Sequence, residues 1–329
     1  MAMMSEAMMI EHPFKSDVPL LTVITPVYNG MPHLRDTVES ILSQQGIDFV
    51  YHLVSDGSKD GSDEYLRSLT DPRVKVTCQA NKGLCQTLNE AMVGAETPFI
   101  ARIDQDDLAL PGRLRDQFEF LDSHPQCGAV LGNLERITDR GSNFGSHLSF
   151  PSGTPSVAYR SETFGCVVHS TLMLRREAFE ALGGYRQAMY PVDDFDLLLR
   201  MEERFEIGFL TRPVIRYRIH GNAGSFTTSG AMDWKTEFAL ANARSRRQDG
   251  HELDMERFAT DWASRPWHQK MGRNLVTRGR LHFRTAGLLL GERRVFQGAW
   301  NLALASLLAP KYTSHRIIDM VRYRLKGHA

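Results

Sequence analysis

Four short apolar runs, separated by helical stretches of about ten residues, confine the first half of this chain to an α/β architecture. The runs are Leu20 to Thr25 (LLTVIT), Val50 to Ser55, Arg73 to Cys78 and Phe99 to Ile103. Between them Leu34, Val38, Ile41 and Leu42 fall at helical spacing, Asp60 to Leu69 opens with Asp, Gly and Ser, and Leu84, Leu88, Ala91 and Met92 mark a third helix. A fourth helix runs from Pro111 to Leu121 with Pro in its first turn, where a missing N–H costs nothing. Strands alternating with helices in this way form βαβ units, which predicts a Rossmann-like, mostly parallel sheet flanked by helices.

After Cys127 the pattern loosens. Strands are expected over Gly128 to Ile137, His169 to Leu174, Ile207 to Leu210 and Val214 to Ile219, with a loop over Ser146 to Pro155. A short helix from Glu177 to Leu182 ends at Gly183-Gly184, and Asp194 to Arg204 is amphipathic, with Phe195, Leu198 and Leu199 on one face. Beyond Gly230 the chain reads as helical. The expected organisation is a disordered segment over 1–17, a catalytic-type α/β domain over 18–230 and a helical basic region over 231–329. Between Arg265 and Ala329 thirteen Lys or Arg stand against Glu292 and Asp319, although the formal net charge of all 329 residues is zero.

Hydrophobic content of 42% and charged content of 24% are those of a globular protein rather than a disordered one. The four cysteines, Cys78, Cys85, Cys127 and Cys166, form no CxxC pair and read as reduced, buried residues. Neither a signal peptide nor an apolar run long enough to span a bilayer is evident, so a cytoplasmic protein is expected. The basic region carries no nucleic-acid-binding module, so nucleic acid is not an expected partner.

Open α/β sheets bind ligands at the carboxyl ends of their strands, so the residues leaving each strand form one set. The first strand releases Thr25, Pro26, Val27, Tyr28, Asn29 and Gly30; the second releases Ser55, Asp56, Gly57 and Ser58. The fourth releases Asp104 and Asp106, which share a face in an extended chain, while Asp107 points away. Asp-x-Asp alone is weak: with twenty-one Asp it arises by chance about once, and Asp194-Phe195-Asp196 is a second match. Asp56-Gly57-Ser58 equally fits a turn and helix cap. Position at successive strand ends joins a carboxylate able to accept from a base imide N–H to a hard-cation site, which together describe a nucleoside diphosphate pocket.

The combined pattern resembles the family 2 glycosyltransferases, which have the GT-A fold. It is carried by VITPVYNG at 23 to 30, VSDGSKDGS at 54 to 62, QANKGLCQTLN at 79 to 89, ARIDQDDLALPGRL at 101 to 114, HSTLMLRREAFEALGGYR at 169 to 186 and VDDFDLLLR at 192 to 200. The resemblance implies that Pro26, Tyr28 and Asn29 line the nucleoside pocket and that Asp56 holds the base, usually uracil. It implies that Asp104 and Gln105 lie near the nucleotide and that Asp106, with Asp104, binds Mn²⁺ or Mg²⁺ across the two phosphates. Lys82 and Arg102 are candidates for phosphate contacts, or else solvated surface residues, and His220 stands where relatives place a phosphate or metal contact.

On the acceptor side the resemblance assigns Asp194 as the general base, with Asp193 beside it. Acidic residues at a helix start are also stabilised by the helix dipole alone. Two departures stand out: Asp193 replaces the more frequent Glu, and Cys166-Val167-Val168 replaces an Asn-Pro before His169, an acceptor-side candidate that equally fits a structural histidine. The activity the resemblance implies is inverting, metal-dependent transfer from a nucleoside diphosphate sugar, UDP-linked by the family's habit, to a saccharide or lipid-linked saccharide in bacterial surface-polysaccharide assembly. Alternatives are a polyprenyl-phosphate glycosyltransferase, a non-catalytic sugar-nucleotide-binding partner subunit and a nucleotidyltransferase. The basic tail reads either as a peripheral contact with an anionic membrane surface or as a packing helix with solvated charges.

Overall fold

The computed structural model describes residues 19–147, 159–160, 168–220, 229–266 and 294–325, with helical residues at 275–276, 278–279, 281–283, 285–287 and 289–290. The expected disorder over 1–17, most of the expected 146–155 loop, and Cys166 and Val167 lie outside the described residues. Strands β1 (Leu21–Val27), β2 (Phe49–Asp56), β3 (Val74–Gln79) and β4 (Phe99–Arg102) pair in parallel in the order β3-β2-β1-β4. They alternate with α1 (Leu34–Leu42), α2 (Ser62–Arg67) and α3 (Leu84–Val93), and α4 (Arg113–Ser123) follows β5 (Leu108–Ala109).

The sheet continues through β8 (Met173–Arg175), β6 (Cys127–Thr138), β9 (Glu206–Ile219) and β5, with β7 (Asn143–His147) paired to β6. This half is mixed. β8 runs antiparallel to both β4 and β6, whereas β6 and β9 are parallel. Between β8 and β9 lie α5 (Arg176–Ala181) and α6 (Asp193–Met201).

Besides β5 and β7, which the sequence did not mark and of which β7 takes Ser146 and His147 from the expected loop, three elements differ from the sequence reading. Ile207 to Ile219 is one continuous strand, because a bulge against Gly132 and Asn133 takes up the polar break, and Asn133 Nδ2 donates to the Thr211 carbonyl at 2.7 Å. His169–Thr171 is a 3₁₀ turn, leaving only Met173–Arg175 as strand. The helix expected from Pro111 begins at Arg113, since Gly112 takes a left-handed conformation with φ of 75° that aims Arg113 into the interior.

Successive strand residues point to opposite faces, so each face of the sheet needs its own cover. Val23, Val27, Leu53 and Ala101 face α1 and α4, packing with Leu34, Val38, Leu114 and Phe118. Ile24, Val54 and Ile100 face the other way, packing with Leu88 and Met92 of α3, Phe179 of α5 and Leu198 of α6.

Further helices follow: α7 (Ser229–Asp249), α8 (Met255–Ser264), α9 (Val295–Leu308) and α10 (Pro310–Leu325). α7 lies on α6, where Phe238, Ala239 and Ala243 join Met189, Val192, Phe195 and Leu199 in a third apolar cluster. Among the described residues no helix is long and apolar enough to cross a membrane.

Candidate active site

The loops after β1 and β2 are tied together by side chains that accept from backbone N–H groups. Asn29 N–H donates to Ser58 Oγ at 3.1 Å, Gly30 N–H to Ser62 Oγ at 3.0 Å and Met31 N–H to Asp60 Oδ2 at 2.8 Å. In return Lys59 N–H donates to Asn29 Oδ1 at 2.8 Å. Asn29 is the one described non-glycine residue with a positive φ, 52°, a conformation that Asn tolerates. Tyr28 is left half exposed beside the crevice, its backbone clamped by Gln105, which accepts from Tyr28 N–H at 2.7 Å and donates to Tyr28 O at 3.0 Å. Pro26 is buried within β1, paired with Val54.

Asp56 ends β2 as a built acceptor. Its Oδ1 accepts from Gln79 Nε2 at 3.0 Å and Lys82 N–H at 2.8 Å, and its Oδ2 from Gly83 N–H at 2.9 Å. Burial raises the carboxyl, but these donors outweigh burial and hold it below the usual carboxylate range. The Thr87 hydroxyl adds a fourth interaction that lowers the same carboxyl. The Lys82 backbone therefore reaches the site while its side chain turns to the surface and pairs with Glu90 at 2.6 Å.

The acidic loop after β4 divides by environment. Asp104 sits in a fork of Arg102, at 2.5 and 3.3 Å, and accepts from Ser170 Oγ at 2.9 Å. Asp106 Oδ2 lies 2.8 Å from His220 Nε2, and the Asp106 carbonyl accepts from Arg218 Nε at 2.9 Å. Asp107 is buried, and its Oδ1 accepts from Arg218 N–H at 2.9 Å. Burial, with Asp106 and Asp104 close by, pushes its carboxyl well above the usual range, which suits an internal fastener between the loop and β9.

Arg102 is buried beside Asp104 and lies within electrostatic reach of the start of α6. Burial opposes its charge, but Asp104, then Tyr185, Asp193 and Asp194, outweigh burial and raise its pKa. Asp193 and Asp194 open α6, Asp193 buried and Asp194 half-buried, with Asp194 Oδ1 accepting from Phe195 N–H at 2.7 Å. The Cys85 thiol of α3 hydrogen-bonds Asp193, whose carboxyl burial pushes up. His169 Nε2 lies 2.8 Å from Tyr185 Oη, and burial followed by Arg102 lowers its pKa well below the ordinary value, so the imidazole is neutral.

Among the described residues no three His, Cys, Asp or Glu side chains form a complete metal cage. Asp106 with His220, and Asp104 behind them, nevertheless suit a cation that draws its remaining oxygens from substrate phosphates, as Mg²⁺ commonly does.

Residues 22–183 match the family model described as Glycosyl transferase family 2. EpsE of Bacillus subtilis, a glycosyltransferase by name, is 32% identical over 197 residues, covering 58% of this chain and 68% of EpsE. The chain belongs to the family 2 glycosyltransferases. Hyaluronan synthase of Pasteurella multocida is 24% identical over 242 residues, 73% of this chain but 24% of the synthase, so the match spans about a quarter of that protein. The crystal structure of S. aureus TarS 1–349 in complex with UDP-GlcNAc superposes with a TM-score of 0.55 at 15% identity, covering 87% of this chain and 91% of that one, and shares the GT-A fold.

Sequence reasoning missed four residues that contact the candidate site residues: Ser170, Tyr185, Cys85 and Arg218. Tyr185 lay inside the quoted GGYR block, and its backbone is clamped by Asn89, with Nδ2 to Tyr185 O at 2.9 Å and Tyr185 N–H to Oδ1 at 2.8 Å. That clamp needs Gly184, since a Cβ there would lie 2.5 Å from Asn89 Oδ1. Arg218 carried no local signal, because its partners in the acidic loop are more than a hundred residues away in sequence.

Proposed function

We propose that this glycosyltransferase is an inverting, metal-dependent enzyme that moves a sugar from a UDP-sugar to a saccharide or lipid-linked saccharide acceptor. The setting we infer is bacterial surface-polysaccharide assembly at the cytoplasmic face of the plasma membrane. One observation carries the reading: Arg102, ion-paired with Asp104 at 2.5 Å, lies within electrostatic reach of Asp193 and Asp194 at the start of α6, which supports a leaving-group site and a base candidate close to one another. The relatives' names support the setting, since TuaG of Bacillus subtilis, 29% identical over 48% of this chain and 63% of its own length, is named for teichuronic acid biosynthesis.

In this mechanism Tyr28 stacks beside the base and Asp56 accepts from its N–H. Asp106, with Asp104 and His220, would hold the Mn²⁺ or Mg²⁺, which would supply positive charge against the departing diphosphate. Asp194 takes the proton of the acceptor hydroxyl as its oxygen bonds to the anomeric carbon, while the bond from that carbon to the phosphate oxygen breaks and UDP leaves. Arg102 keeps Asp104 in place and adds positive charge beside the leaving group.

A screen of nucleoside diphosphate sugars, read as nucleotide release with and without Mn²⁺, tests donor and metal together. UDP release with Mn²⁺, abolished by EDTA, is expected. Release of pyrophosphate instead would identify a nucleotidyltransferase, and metal-independent turnover would remove the role given to Asp106.

A further inference from the structure

Helix α9 is built inside out. Its small residues Gly298 and Ala305 face the protein, with a Cβ at Gly298 falling 2.6 Å from Leu290, and His282 Nδ1 lies 2.8 Å from Asn301 Oδ1 across the contact. At about 100° per residue, Phe296, Trp300, Ala303 and Leu307 share the opposite face, and all are exposed: Phe296 by 93%, Trp300 by 66% and Leu307 by 77%. Val295 beside them and Ile317 and Ile318 of α10 are exposed too. Large apolar side chains normally fill the inside of a helix contact, so a run of them turned outward marks a surface that meets something.

We propose that this face of α9 seats on an anionic lipid surface. Arg294 at one end of the helix and Lys311 just beyond the other are exposed, and residues 265–329 carry thirteen Lys or Arg against two acidic residues. Basic residues bordering exposed Phe, Trp and Leu match an interface of negative headgroups over acyl chains. A second copy of the chain matches less well, because a symmetric contact through this face would bring like charges together. The inference adds an anchoring element to the membrane-face setting proposed above, but its readout is binding, so it stands or falls separately from the transfer reaction.

The full chain is mixed with vesicles of phosphatidylcholine containing about 30% phosphatidylglycerol, or of phosphatidylcholine alone, and bound protein is separated by sedimentation. Wild type is expected to bind the anionic vesicles at least about tenfold more tightly. Combining Phe296→Ser, Trp300→Ser and Leu307→Ser is expected to weaken that binding by about tenfold or more while leaving nucleotide release toward a soluble acceptor unchanged. Arg294→Glu with Lys311→Glu is expected to erase the preference for anionic vesicles, and Trp300→Gln alone gives a milder loss should the triple variant misfold. Equal binding by wild type and the apolar variants, no preference for anionic lipid, or a wild-type dimer that the triple variant splits without changing vesicle binding would each overturn the proposal.

Discussion

The two halves of the sheet meet at β4 and are built differently. The parallel half, β3-β2-β1-β4, presents loops that satisfy one another: Asn29, Ser58, Asp60, Ser62 and Gln105 all bind backbone of a neighbouring loop, so these loops are fixed before any ligand arrives. The mixed half supplies single side chains from distant segments: Ser170, Arg218 and His220 converge on the acidic loop, and Tyr185 and Asp194 come within electrostatic reach of Arg102. A preformed pocket holds a ligand in ground state and transition state alike, whereas groups aimed at developing charge act on the barrier. The parallel half should therefore govern donor affinity and the mixed half turnover.

The sharpest break in that division comes from Asp194→Asn, expected to lower kcat by about 10²–10⁴-fold with little change in donor KM. Full activity of this variant with a polyprenyl phosphate acceptor, which needs no base, would move the enzyme to lipid-phosphate transfer. Asp106→Ala, at the junction of the halves, is expected to cost about 10²–10³-fold in kcat/KM and to flatten the Mn²⁺ response, measured by titrating metal against nucleotide release. Asp56→Asn should show the opposite split from Asp194, with donor KM raised about tenfold or more and kcat nearly kept. A fall in kcat as large as that of Asp194→Asn would dissolve the contrast.

The smallest effect is on stability, again in the parallel half. His52 is buried in β2, its Nε2 2.9 Å from Thr77 Oγ1, and burial pulls its pKa down to about 4. A base depressed in the folded state stabilises above its unfolded value of about 6.5 and loses that contribution as pH falls towards 4. At pH 5.5 the loss is about 1 kcal/mol, and His52→Gln should remove that slope from urea unfolding curves compared at pH 7 and 5.5.

The same contrast explains what the sequence made legible. The parallel half announces itself because each strand, helix and strand-end polar cluster is contiguous, so Tyr28, Asn29, Asp56, Asp104 and Asp106 were found as one set. In the mixed half the decisive facts are registers and bulges between remote segments. Periodicity has no means of seeing that Asn133 stitches a bulge in β9, that His169 opens a 3₁₀ turn, or that Arg218 fastens Asp106 and Asp107. The direction of the Lys82 side chain was equally hidden, since its backbone rather than its charge does the binding.

Helix α3 touches both halves. Gly83 N–H, immediately before the helix, holds Asp56, Cys85 in its first turn meets Asp193, and Asn89 one turn further clamps Tyr185. A short rigid rod in three such contacts is a physical route for coupling free energy, and such coupling is reciprocal. On the proposed function, any shift of α3 that a bound base imposes through Asp56 would reach Tyr185, and an acceptor that moved Tyr185 would change donor affinity by the same factor. The factor by which donor and acceptor change one another's affinity would then depend on the stiffness of this one ten-residue helix.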